Sequence, residues 1–119
     1  MDERKLGAVE TRFADLIWEN QPLSSGVLVR ICEQELGWKK STTYTVLKKL
    51  CQRGIFRNEG GEVTALISRE EAQTSRVEEL VEQTFGGSIP AFIAAFGRSG
   101  KLSREEAAQL RAMIDAMED

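Results

Sequence analysis

The sequence predicts a mainly α-helical fold that contains one small β-hairpin. Apolar residues at helical spacing cover residues 8–53, a short glycine-containing β pattern occupies residues 55–67, and further helical stretches fill residues 70–119. The chain has 119 residues, of which 41% are hydrophobic and 29% are charged. This length is sufficient for one ordinary domain, or for a small domain with an oligomerisation appendage.

The first two helices are indicated by apolar spacing and by residues typical of helix ends. In residues 8–20 the apolar stripe recurs at i, i+4, i+7 and i+8, and it consists of Val9, Phe13, Leu16 and Ile17. A second helix is predicted from Ser24 and Ser25, which can cap it, to the residue before Gly37. Trp38 is expected to pack beneath the turn that follows. The inward residues of the second helix are expected to be Val27, Leu28, Ile31, Cys32 and Leu36.

The third predicted helix, within residues 38–54, carries the strongest functional signal. This stretch reads WKKSTTYTVLKKLCQRG and holds five Lys or Arg residues but no acid, although the whole chain has a net charge of −3. Its apolar residues Leu47, Leu50 and Cys51 share one helix face, and hydroxyl side chains fill its first turns. Helix N-termini attract phosphate, and lysines and hydroxyls suit contacts to DNA backbone and base edges. The alternative is an ordinary solvated surface helix. The candidate DNA contacts are Lys39, Lys40, Ser41, Thr42, Tyr44, Thr45, Lys48 and Lys49.

A β-hairpin is predicted directly after the third helix. Two runs rich in β-branched and aromatic residues, Ile55–Arg57 and Val63–Ile67, flank a five-residue tip at 58–62 that contains paired glycines. Three helices followed by such a hairpin are the layout of a winged helix–turn–helix, in which the third helix enters the major groove and the hairpin lies along the DNA backbone or minor groove. Arg57 is therefore a further candidate DNA contact. The tip also carries Glu59 and Glu62, which predicts weak phosphate contacts from this wing.

Residues 70–119 are predicted to form a helical dimerisation region. Capping boxes at Ser68–Glu71 and Ser103–Glu106 start the fourth and sixth helices, and Pro90 lies at the start of the fifth. The fifth helix, IPAFIAAF, is apolar nearly all round and is followed by a predicted loop at 97–100. A helix without a polar face must be buried on several sides, and about fifty residues are too few to bury it in a monomer. The alternative is a C-terminal subdomain that folds on its own. The predicted dimer contacts are Val77, Leu80, Val81, Phe85, Ile89, Phe92, Ile93, Phe96, Leu110 and Ile114.

Charge is divided unevenly along the chain. Residues 1–69 hold 11 Lys or Arg against 9 Asp or Glu, whereas residues 70–119 hold 5 against 10. The positive charge therefore lies in the part that is predicted to bind DNA, and the acidic part is the predicted dimerisation region.

Composition argues against several other classes of protein. The chain has no histidine and two cysteines. Because a zinc site requires about four Cys or His ligands, neither a metal site nor a cofactor is expected. Cys32 and Cys51 lie on apolar helix faces and are expected to be small buried hydrophobic residues. The sequence has no glycine-rich phosphate-binding loop and no nucleophile–base pair, so an enzyme is not expected. No apolar run approaches the ~20 residues that cross a bilayer, and no signal peptide is evident, so a cytoplasmic location without membrane insertion is expected.

The chain resembles the penicillinase-repressor family of winged-helix repressors over nearly its whole length. The most specific match is Phe85-Gly86-Gly87-Ser88, followed by a hydrophobic helix and Lys101-Leu102-Ser103. The resemblance implies a homodimeric transcriptional repressor bound to palindromic double-stranded operator DNA, with a DNA-binding domain at 1–69 and a dimerisation domain at 70–119. A winged-helix module for protein–protein contact, without specific DNA binding, is the alternative. The other residues that carry the resemblance are Leu16-Ile17-Trp18, Gly37-Trp38, Thr42, Leu47, Leu50, Gly54 and Ser68-Arg69-Glu70-Glu71.

Two departures from the family pattern concern regulation. In its best-known members a membrane-bound sensor protease, which the resemblance implies as a further partner, relieves repression by cutting an Asn–Phe bond in the fifth helix. The matching residues here are Ala95-Phe96, so the asparagine is missing. Copper-responsive members carry a cysteine-rich C-terminal motif, whereas this chain has no cysteine near Met117-Glu118-Asp119. Neither signal is predicted to act through its usual residues.

Overall fold

The computed structural model describes residues 6–118, which form six helices and three short strands. The chain divides into two compact units, the first ending at Val77 and the second starting at Glu78. The mainly α fold with a small β wing and C-terminal helices is confirmed, while the proposed domain boundary between residues 69 and 70 stays a prediction. In chain order the elements are α1 (Ala8–Asn20), β1 (Leu23–Ser24), α2 (Ser25–Leu36), α3 (Lys40–Gln52), β2 (Phe56–Glu59), β3 (Glu62–Ala65), α4 (Arg69–Phe85), α5 (Ile89–Ser99) and α6 (Arg104–Met117).

The first three helices lie where the sequence predicts them. The Ser24 hydroxyl accepts a hydrogen bond from the Val27 N–H at 3.1 Å, and Gly37 ends α2 in the left-handed region at φ 67°. Two predicted inward residues, Val9 and Val27, are instead exposed. At about 100° per residue, each valine lies roughly 90–120° away from the centre of the buried face of its helix. These faces are formed by Phe13, Ala14 and Ile17 in α1 and by Leu28 and Cys32 in α2.

The wing is an antiparallel sheet in the order β1-β3-β2. The turn between β2 and β3 consists of Gly60 and Gly61 alone, at φ +60° and +87°, and Glu59 pairs directly with Glu62. The predicted five-residue tip is therefore wrong, because two glycines with positive φ close a two-residue turn and leave the flanking residues in the strands. The sequence does not predict β1, since two residues are too few to show alternation. The Ser25 N–H extends this edge by donating to the Gly61 carbonyl at 2.8 Å.

The hydrophobic core of the first unit joins α1, α2 and α3 to the wing. The ring of Trp38 stacks on Phe13 with centroids 5.4 Å apart, which places Trp38 beneath the α2–α3 turn as expected. The Trp18 indole N–H donates to the Ile67 carbonyl at 3.1 Å and holds the end of the wing against α1. The largest fully buried apolar side chains include Phe13, Ile17, Leu28, Leu47, Leu50, Ile55, Phe56 and Val63.

The first turns of α4 pack within the first unit. Arg69 donates from Nε to Asp15 Oδ1 at 3.1 Å and from Nη2 to Glu19 Oε1 at 3.3 Å. Its guanidinium carbon also lies 5.8 Å from the centroid of the Trp18 ring, within the range of a cation–π contact. These contacts attach the start of α4 to α1. Within the part of α4 that belongs to the first unit, the buried residues are Ala72 and Ser75.

Both predicted capping boxes are confirmed. In the first, the Glu71 N–H donates to Ser68 Oγ at 3.0 Å and the Ser68 N–H donates to Glu71 Oε1 at 3.3 Å. In the second, Ser103 and Glu106 exchange the corresponding bonds, both at 3.0 Å. Reciprocal bonds of this kind satisfy two of the free N–H groups at a helix start. They explain why α4 and α6, which are rich in charged residues, begin at these positions.

The second unit contains the last turns of α4 together with α5 and α6. Ser88 caps α5 by accepting from the Ala91 N–H at 3.1 Å. The ring of Phe92 makes edge-to-face contacts with Phe85 and Phe96, at centroid distances of 5.6 and 5.3 Å. The predicted loop at 97–100 is wrong, since α5 continues to Ser99 and ends at the left-handed Gly100. A single glycine costs a helix only about 1 kcal/mol, so Gly97 does not end it.

Candidate nucleic-acid interface

Helix α3 separates a buried face from a basic, hydroxyl-bearing face. Thr43, Leu47 and Leu50 recur at i, i+4 and i+7 and are buried in the core. The exposed surface of the helix therefore carries lysines and hydroxyls and no carboxylate. Every predicted contact residue on α3 except Tyr44, which is half-buried, is exposed. The exposed candidates are Lys39, Lys40, Ser41, Thr42, Thr45, Lys48 and Lys49.

The N-terminus of α3 is arranged to attract an anion. Lys39 is the N-cap residue and its side chain makes no capping hydrogen bond, while the first helical bond runs from the Thr43 N–H to the Lys39 carbonyl at 3.1 Å. The backbone N–H groups of the first turn are thus directed away from the helix, at the positive end of its dipole. Lys39 and Lys40 add two formal positive charges there. Positive charges at the positive end of the dipole destabilise the isolated helix, but they stabilise a phosphate bound there.

Tyr44 connects α3 to the start of α2. Its hydroxyl donates to Ser25 Oγ at 3.2 Å, so the phenol ring is held between the two helices of the helix–turn–helix. Beside it lies a half-open groove of about 370 Å³ between α3 and β2. Asn58 lines this groove and was not among the predicted contacts, although strand alternation places it on the same face as the buried Phe56. The remaining lining residues are Leu47, Lys48 and Cys51.

Two of the predicted basic DNA contacts, Lys49 and Arg57, form ion pairs. The Lys49 ammonium lies 3.3 Å from Glu10 Oε2, and Arg53 donates to both oxygens of the same carboxylate, at 3.2 and 3.1 Å. Burial acts to raise the pKa of Glu10, but the Gly7 N–H, Arg53 and Lys49 outweigh it and hold that pKa below its ordinary value. In the wing, Arg57 pairs with Glu59. Lys49 and Arg57 thus each have an acidic partner within the chain.

The sequence matches the family model described as penicillinase repressor over residues 6–116. The chain belongs to the penicillinase repressor family. Comparison with curated proteins gives no significant match. The family supports DNA binding and transcriptional repression as the general role of this repressor, and transcriptional regulators are not a class of enzyme.

The second unit of the repressor leaves many large apolar side chains exposed. No residue of α5 or α6 is buried in the single chain. Among the predicted dimer contacts on α4–α6, only Val81 is buried. Ile89 has 63% of its surface exposed and Ile114 has 51%. Val77, Leu80 and Phe96 are exposed as well, and the half-buried contacts are Phe85, Phe92, Ile93 and Leu110.

The two thiols of the repressor lie in apolar surroundings. Burial raises the pKa of Cys32, against a smaller lowering by the Thr43 hydroxyl, and burial likewise raises the pKa of Cys51. Both thiols are therefore held in their protonated form at neutral pH. Within residues 6–118, no group of three or more His, Cys, Asp or Glu side chains is arranged to hold a metal ion. None of the helices in that range is long and apolar enough to cross a membrane.

Proposed function

We propose that this chain is a homodimeric repressor that places α3 in the major groove of a palindromic operator. The observation that carries the proposal is the exposed, acid-free face of α3, where lysines surround a hydroxyl-bearing helix start. Lysines at the helix start suit phosphate contacts, and the side chains of Ser41, Thr42 and Thr45 suit base edges. The proposed DNA partner also agrees with a cytoplasmic location.

The exposed apolar surface of the second unit supports the dimer. Large apolar side chains on several faces of one small unit are costly in water, and association with a second copy covers them. Most soluble oligomers are dimers with a two-fold axis. Two copies related by such an axis would present two α3 helices to two half-sites of opposite direction, which is why the proposed operator is palindromic.

Binding titrations against salt concentration test the DNA-binding role. The operator is first selected from a pool of random duplexes, and each variant is then measured on operator and on random DNA. We expect Lys40→Ala to weaken binding to both and to reduce the log–log salt slope by about 0.9 for each phosphate that Lys40 no longer neutralises, or nearly two per dimer. Lys101→Ala removes the same charge from the second unit and serves as the control. Equal slopes for the two variants would contradict the proposed role of α3.

A further inference from the structure

One face of the wing hairpin carries one basic and two acidic side chains. Arg57 and Glu59 are two residues apart on β2, so they lie on the same face of the strand. The register places Thr64 opposite Arg57 and Glu62 opposite Glu59. This face, formed by Arg57, Glu59, Glu62 and Thr64, is opposite to the one whose Phe56 and Val63 are buried in the core. Its formal net charge is −1.

Arg57 is the only basic side chain on this face, and it forms an ion pair with Glu59. The two side chains are 56% and 70% exposed, so the pair is solvated and can be opened at low cost. A DNA phosphate that approaches Arg57 must first displace the Glu59 carboxylate. Glu62 lies directly across the hairpin from Glu59 and adds a second negative charge near the same point, which increases the repulsion of phosphate.

We propose that Glu59 masks Arg57 from the DNA backbone, so that the wing lowers affinity for non-specific duplex. This inference rests on the proposed DNA-binding function. Binding to random DNA consists almost entirely of phosphate contacts, whereas operator binding also has base contacts from α3. Withholding one cation per half-site from phosphate therefore removes a larger share of the non-specific binding free energy. The wing then contributes to specificity without touching a base.

The test measures binding to a random-sequence duplex at several salt concentrations. Glu59→Gln frees Arg57 and is expected to tighten binding by up to about fivefold per half-site, the upper range for an exposed ion pair. The salt slope should steepen by about 0.9 for each additional phosphate that Arg57 neutralises. In the double variant Arg57→Ala/Glu59→Gln this tightening should disappear, whereas Arg57→Ala alone should change little. All the substituted residues are exposed, so the fold is expected to be kept.

Glu62→Gln is the matched control, because it removes the same charge from the facing strand without releasing Arg57. Its effect should be smaller and should not depend on Arg57. Equal tightening by the two glutamine variants, or a Glu59→Gln effect that survives the removal of Arg57, would overturn the masking. If the parent chain binds DNA through Lys40 but Glu59→Gln has no effect, the masking proposal is contradicted and the proposed DNA-binding function is not. If the parent chain and the Glu59→Gln variant both fail to bind any duplex at low salt, both the masking proposal and the proposed function are contradicted.

Discussion

At the scale of single residues, two adjacent threonines of α3 are expected to have different roles. Thr42 is exposed on the basic face, whereas Thr43 is fully buried beside Cys32. Thr42→Ala should narrow the difference between operator and random DNA by about 1–3 kcal/mol if its hydroxyl makes a well-formed base contact, with the melting temperature unchanged. Thr43→Ala should instead lower the unfolding free energy by roughly 1–2 kcal/mol. Titrations and thermal melts of both variants check this, and a Thr42→Ala loss of affinity that is equal on both DNAs would contradict it.

The Glu10 carboxylate gives the first unit a pH-dependent contribution to stability. Because its pKa is lower in the folded chain than the ordinary 4.5, folding favours the charged form. The contribution is therefore fully present above the unfolded pKa and is lost as the pH falls through the folded pKa. Glu10→Gln should lower the unfolding free energy by about 1 kcal/mol at pH 7, and this deficit should shrink below pH 4.5.

Denaturant unfolding of Glu10→Gln and its parent at pH 7 and at acid pH measures this contribution. Glu33→Gln, which alters an exposed carboxylate on α2, is the control and should show no comparable deficit. A Glu10→Gln deficit that stays constant down to acid pH would show that charge is not its source.

The buried face of α3 could be predicted from sequence, but the charge pairs could not. Helical spacing alone identifies Leu47 and Leu50 as core residues, because that period is a local property of the chain. The partner of Lys49 is Glu10, which comes from a different helix. Such pairing depends on how the helices pack, so it follows only from the folded structure.

At the scale of elements, the family resemblance implies that the bond cut in its best-known members corresponds to a peptide bond in α5. Ala95 and Phe96 lie inside α5. By the resemblance, Ala95 stands where the cleaved members have asparagine. We expect a sensor protease of the family to leave the parent chain intact, because protease pockets discriminate by the side chains beside the scissile bond. Ala95→Asn restores the family residue and should be cut. Electrophoresis of both proteins after incubation decides this, and efficient cutting of the parent would contradict the prediction.

The ends of elements can be predicted where a side chain or glycine fixes them locally. Ser24, Gly37 and the two capping boxes lie at the predicted ends because each acts on backbone groups within its own turn. β1 exists only through pairing with β3, a long-range contact that two residues of sequence do not reveal. The predicted end of α5 is misplaced because Gly97 and Gly100 are the same residue type, and only the latter is left-handed.

At the scale of the whole molecule, the exposed apolar side chains of the second unit predict association. Ile114→Asp should give a monomer, because burying an unpaired carboxylate at an interface costs several kcal/mol. Helix content should be kept, since this side chain is exposed in the single chain. Gln109→Asp places the same charge at an exposed polar position of α6 and should stay dimeric. Sedimentation of both variants measures the result, and a dimeric Ile114→Asp would show that α6 is not part of the interface.

The buried start of α4 decides where the DNA-binding part of the chain can be separated from the rest. A fragment that stops at residue 69 keeps every strand of the wing but loses Ala72, which belongs to the same core cluster as Leu6 and Phe13. The smallest fragment expected to fold alone therefore runs to Val77 and ends in the middle of α4. Truncation libraries and domain fusions built on this protein need that half-helix, although it contains none of the proposed DNA contacts.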